Sequence, residues 1–103
     1  MSRDHLGGPC VVPLKSIHPF SNDADFYPGM PLKWGLSFLI NTEDTPEGRS
    51  AGSLAWAGLA NSYYWIDPVK NVTGVLATQV FPFLDIEAFA LFQAFESAVY
   101  ASL

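Results

Sequence analysis

The chain has 103 residues, a formal charge of −5 and an apolar fraction of 50% against only 15% charged residues. That length suits one small domain, and ten acids against five bases argue against nucleic acid, which needs clustered Lys and Arg. No apolar run reaches the ~18 residues of a membrane span, and the opening MSRDHLGGPC has no apolar signal core, which makes a cytoplasmic location the default expectation. Typical domains carry about 25% charged residues. So apolar a surface on so small a domain should face an oligomer partner or a missing part of a larger fold. Cys10, the single cysteine, cannot make an internal disulfide and is expected to be inert.

Residues 1–31 hold five of the eight prolines and three of the eight glycines, so an irregular arm is expected there, with one short helix near 21–25. A loop of that length usually lines something functional or wraps around other residues. Four strands are expected next. KWGLSFLI, 33–40, is apolar and bounded by Pro31 and Asn41. The polar stretch 41–49 reads as a surface loop. Strands at 53–58 and 62–66 follow, the latter carrying Tyr63, Tyr64 and Trp65, and a turn at 67–71 leads to a strand at 72–80. Phe81-Pro82-Phe83-Leu84 breaks the sheet, and Asp85 suits a helix N-cap. Phe89, Phe92, Phe95 and Val99 then share one broad helical face, with Glu87, Gln93, Glu96 and Ser97 on the other side. The fold class is α+β: an antiparallel sheet of three to four strands, its edges needing cover, with a C-terminal helix packed on it. Residues 32–103 form the sheet-and-helix segment behind the arm.

Few residues could carry chemistry unaided. His5 and His18 do not stand at metal-ligand spacing from Cys10, and Asp23, Asp25, Glu43 and Asp44 read as solvated loop acids, so neither a metal nor a cofactor is expected. No phosphate loop and no S-x-x-K occurs. The Asn71-Val72-Thr73 sequon reads as chance without a secretory signal.

One stretch stands apart. GRSAGSLAWAGLANSYYWIDPVKNVTGVLATQ, preceded by KWGLSFLIN and followed by a helix, resembles the C-terminal part of β-lactamase-like serine hydrolases, the group of class C β-lactamases, esterases and penicillin-binding-protein relatives. The resemblance implies that Trp56, Ala57 and Gly58 occupy the position of the Lys-Thr-Gly motif on the strand edging a substrate cleft. It also implies that the backbone N–H of Leu59 is an oxyanion donor. Such a donor needs a strand edge facing empty space, and a glycine admits close approach. Tryptophan in place of lysine favours a neutral ester over an anionic β-lactam. The alternative is that Trp56 and Gly58 only pack and bend the strand. The nucleophilic S-x-x-K and the central tyrosine motif of that family are absent, so the chain is expected to be a C-terminal fragment with Met1 an internal methionine. It is expected to be inactive alone, with a missing N-terminal segment of the fold or a second copy as partner and an ester or amide as substrate when complete. A non-catalytic, self-associating α+β module is the competing expectation.

Overall fold

A computed structural model describes residues 2–5, 7, 10–17, 19 and 21–103; the expectation placed on His18 lies outside them. Five strands and one helix follow in order: β1 (Leu32–Trp34), β2 (Leu39–Asn41), β3 (Leu54–Gly58), β4 (Ser62–Asp67), β5 (Val72–Leu76) and α1 (Ile86–Ala101). The strands form one antiparallel sheet in sequence order.

The sheet is thus α+β with a C-terminal helix, but it has five strands rather than three to four. The apolar run 33–40 is a hairpin and not one strand. Trp34 pairs with Leu39, the Gly35 N–H donates to the Phe38 carbonyl at 2.8 Å, and the chain reverses across Leu36-Ser37. The strand expected over 72–80 stops at Leu76. Beyond it the Thr78 hydroxyl donates to the Ala60 carbonyl at 2.6 Å and the Val80 N–H to the same carbonyl at 3.1 Å, so the chain is drawn to the β3–β4 turn instead. No helix forms near 21–25. Ala24 bridges Leu14 through two backbone bonds of 2.7 Å, and Ser21 bridges Phe83.

β4 organises the core because its side chains alternate. Tyr63, Trp65 and Asp67 are buried on the face under α1, whereas Tyr64 and Ile66 point the other way. Tyr63 stacks on Phe92 at 4.9 Å, and Trp65 meets Phe92 at 5.7 Å and Phe95 at 5.6 Å. Each such ring contributes roughly 1.5–3 kcal/mol by leaving water. Room for the Trp65 indole exists because its cross-strand neighbour is Gly74; a Cβ there would lie 2.0 Å from the ring. Asp85 caps α1 as expected, its carboxylate accepting the Ala88 N–H at 3.0 Å. The turn at 67–71 forms as well: Asp67 accepts the N–H groups of Val69 and Lys70, each at 3.0 Å, and Asn71 takes a left-handed φ of 56°.

The stretch 41–49 is a loop with Thr42, Glu43, Asp44 and Pro46 exposed, but it turns part of its length inward, and Glu96 is not on a polar side of the helix. Asn41, Thr45, Arg49 and Glu96 are all buried. Arg49 donates to both Glu96 carboxylate oxygens, from Nε at 2.8 Å and a terminal nitrogen at 2.7 Å. Burial is the largest single influence on Arg49 and lowers its pKa, but the bond to Glu96 together with the nearby charges of Tyr27, Glu96 and Tyr100 outweighs it and raises the value. The bidentate match is what makes the loop worth folding inward.

A second buried acid joins the same region. Asp67 accepts the Ser50 N–H at 2.9 Å and the Tyr100 hydroxyl at 3.0 Å, and that hydroxyl accepts the Trp65 indole N–H at 3.0 Å. Burial pushes the Asp67 pKa up. The donors from Ser50, Lys70 and Tyr100 outweigh burial and hold it at about 2, against an ordinary 3.8. A depressed carboxylate stabilises the folded chain fully above its ordinary range and loses that contribution as pH falls toward 2. Urea unfolding of the wild type should therefore weaken between pH 5 and about 2 more steeply than that of Asp67→Asn, which should be less stable at pH 7 and flatter with pH. Gly74→Ala should lower stability by about 2 kcal/mol or more through overpacking against Trp65, read from the same urea midpoints.

Candidate functional site

The end of β3 is built by its turn. Gly58 pairs with Ser62, and the Asn61 N–H donates to the Gly58 carbonyl at 3.1 Å. Leu59 and Ala60 have no positive φ while Asn61 has one of 60°, so the three-residue loop is a type I turn followed by a left-handed residue. Glycine usually fills that last position. Asparagine fills it here because its side chain has work to do in the interior. Asn61 Nδ2 donates to the carbonyls of Val80 at 2.6 Å and Pro82 at 2.7 Å, and its Oδ1 accepts the Tyr63 hydroxyl at 2.5 Å and the Asp85 N–H at 3.1 Å. Burial raises the Tyr63 phenol to about 12, a backbone hydrogen bond involving Leu84 pulls it down, and nearby Asp85 pushes it up. Sequence reasoning passed over Asn61, although an asparagine closing a small-residue turn between two strands is a recognisable sign.

The four residues singled out from the sequence take different places. The Trp56 ring is half-buried, edge-on to Trp34 at 4.6 Å and tilted against Phe26 at 5.8 Å. Ala57 faces its cross-strand partner Tyr63 and packs on the aromatic core, so its side chain is committed to folding. Gly58 is exposed, and its nearest neighbour to an added Cβ is the Ser62 Cβ at 3.9 Å. Leu59 is 50% exposed in the turn, and its N–H has no acceptor among the described residues. Gly58 thus needs glycine neither for its φ nor for its packing within this chain.

The nearby hydroxyls are engaged structurally. Ser62 exchanges hydrogen bonds of 3.1 Å with Thr78, its hydroxyl donating to the Thr78 carbonyl and accepting the Thr78 N–H. The buried Ser53 hydroxyl donates to the Ser50 carbonyl at 2.7 Å. Among the described residues, no three His, Cys, Asp or Glu side chains gather to hold a metal ion. Cys10 is exposed, and no described helix is long and apolar enough to cross a membrane.

An antiparallel sheet with one helix laid on it is the arrangement of a partial β-lactamase-like fold, and solved structures similar to this chain support that class. The unliganded simvastatin synthase (LovD) of Aspergillus terreus, in its selenomethionyl form, matches with a TM-score of 0.68 and 32% identity, over 71% of this chain and 19% of that one. The LovD9 mutant of the same enzyme matches with a TM-score of 0.68 and 31% identity over the same shares. The LovD6 mutant does so at 29% identity. The chain therefore spans 19% of the length of these structures. No protein-family model matches it, and no curated protein does.

The unused conformational freedom at position 58 is directly measurable. Gly58→Ala should leave the melting temperature unchanged or raise it slightly, by an amount equivalent to about 0.5–1 kcal/mol, because alanine restricts the unfolded chain and meets no close atom. A clear drop in a thermal melt would show that the strand end needs glycine for its own fold.

Proposed function

We propose that this chain supplies one wall of a serine-hydrolase-type cleft that acts on neutral esters through an acyl-enzyme, the nucleophile coming from a segment outside these 103 residues. The observation that carries the reading is the exposed end of β3: a glycine its own fold does not require, followed by a backbone N–H that no described residue uses. Both are what close approach of a carbonyl needs. The likeness to simvastatin synthase at 29–32% identity supports the same reading.

In that reading the serine oxygen adds to the ester carbonyl carbon and its proton passes to the accompanying lysine. The carbonyl oxygen becomes an oxyanion held by the Leu59 N–H. Collapse breaks the bond to the alcohol, which leaves with the proton, and water later releases the acyl group. Trp56 presents an apolar wall where the related motif carries a lysine. The partner surface is the sheet itself. β5 is an edge with no described strand beside it, and on the face turned from α1 Val75 is 66% exposed. A segment bearing the serine and lysine covers it in this reading. A second copy of the chain would do so in the non-catalytic alternative, which light scattering would reveal as a dimer.

Leu59→Pro isolates the donor. Position 59 is the second residue of a type I turn, where proline is favoured, and the fold makes no use of its N–H. The 103-residue chain alone should not hydrolyse p-nitrophenyl acetate. A simvastatin synthase in which this chain replaces the matching segment should hydrolyse it. Leu59→Pro in that hybrid should cut kcat by about 10²–10³-fold with little change in stability. Unchanged turnover in the proline variant would rule out Leu59 as the oxyanion donor.

A further inference from the structure

A cavity of about 320 Å³ lies between the arm and the sheet. Val11 and Leu14 of the arm, Leu32 of β1, Leu39 of β2, Phe26 and Trp56 all line it. Its walls are tied by the backbone. The Val11 N–H donates to the Leu32 carbonyl at 2.8 Å, and Leu14 and Ala24 exchange bonds of 2.7 Å. The volume falls at the lower end of the ~300–1,000 Å³ typical of small-molecule sites. Among the described lining residues there is no cation, and Asp25 is an exposed carboxylate among them.

We propose that this cavity binds a neutral aliphatic chain of medium length. Three features select that ligand. The lining is apolar, so each buried methylene adds affinity. A carboxylate in the lining and a formal charge of −5 disfavour an anion. Trp56 both lines the cavity and belongs to β3, so the cavity adjoins the strand that ends at Gly58. From Trp56 to Leu59 is three residues of strand and turn, roughly 10 Å at ~3.3 Å per residue. An ester whose alkyl part fills the cavity can therefore lay its carbonyl near the Leu59 N–H. That last placement rests on the function proposed above, whereas binding in the cavity does not.

The test uses the 103-residue chain as it stands, titrated with methyl octanoate, methyl butanoate and octanoate anion at pH 7 and followed by NMR of the Val11, Leu32 and Leu39 methyl groups. Methyl octanoate should shift those methyls saturably. Affinity should rise about fourfold for each methylene added between butanoate and octanoate. The octanoate anion should bind at least ~10-fold more weakly than the ester, since its charge meets Asp25. Two variants that fill the cavity, Ala24→Leu on its wall and Met30→Trp on its lining, should each abolish the shifts, while Ile86→Ser, exposed on α1, should not. Equal and unsaturable responses to all three ligands would overturn the site, as would unchanged binding in a cavity-filled variant that still gives a folded spectrum. Saturable ester binding together with full turnover by the Leu59→Pro hybrid would keep the cavity and discard the catalytic placement. Loss of turnover in that hybrid with no binding here would do the reverse.

Discussion

The ion pair between Arg49 and Glu96 holds the rest of the structure in place. It joins a loop to a helix 47 residues away, and both partners are buried. Stripping water from two charges is costly, and the pair is tolerable only because both carboxylate oxygens are met by guanidinium N–H groups. The Arg49 guanidinium also lies 5.9 Å from the Trp65 ring and 5.7 Å from that of Tyr27, so the same cation braces the aromatic core from its side. Once Arg49 is fixed, the neighbouring Ser50 N–H is presented to Asp67, and Asp67 fixes Tyr100, which fixes the Trp65 indole. Loop, sheet and helix are thereby locked through one polar seam under an apolar layer.

The candidate site depends on that seam at one remove. β3 begins immediately after the packed loop, so its register against β2 and β4 is set where Ser53 and Ser50 close the loop. Its far end is set by Asn61. Between the two anchors the Leu59 N–H has no acceptor among the described residues, and Gly58, though its carbonyl accepts the Asn61 N–H, leaves open the space a side chain would fill. Trp56 stands between, its ring held by Trp34 and Phe26 rather than by the main core.

Much of this was legible in the chain. The aromatic run Tyr63-Tyr64-Trp65 marked β4, which extends one residue further to Asp67, and Asp85 followed by Phe89, Phe92, Phe95 and Val99 marked the helix and the face it buries. The hairpin inside 33–40 was hidden because Leu36 and Phe38 look like strand residues and no Asn-Gly signal marks the reversal. The burial of Asn41, Thr45 and Arg49 was hidden for a different reason: polarity points outward unless a partner exists, and the partner of Arg49 lies on another element. Asn61 escaped notice because its four side-chain hydrogen bonds reach residues brought near only by the whole fold. Local pattern resolves elements of one period well, and it cannot resolve polar groups whose partners are distant.

The Asn61 side chain has a consequence for motion. One oxygen accepts both from Tyr63 in the sheet and from the backbone of Asp85, the residue that starts the helix. Fraying of the first helical turn and opening of the β3–β4 turn are then the same event, since either breaks the shared acceptor. The turn that presents Leu59 is therefore anchored at its Asn61 end to both the sheet and the start of the helix. If Leu59 is the donor proposed above, its N–H meets an incoming carbonyl already in position, and little entropy is left to be lost when it does.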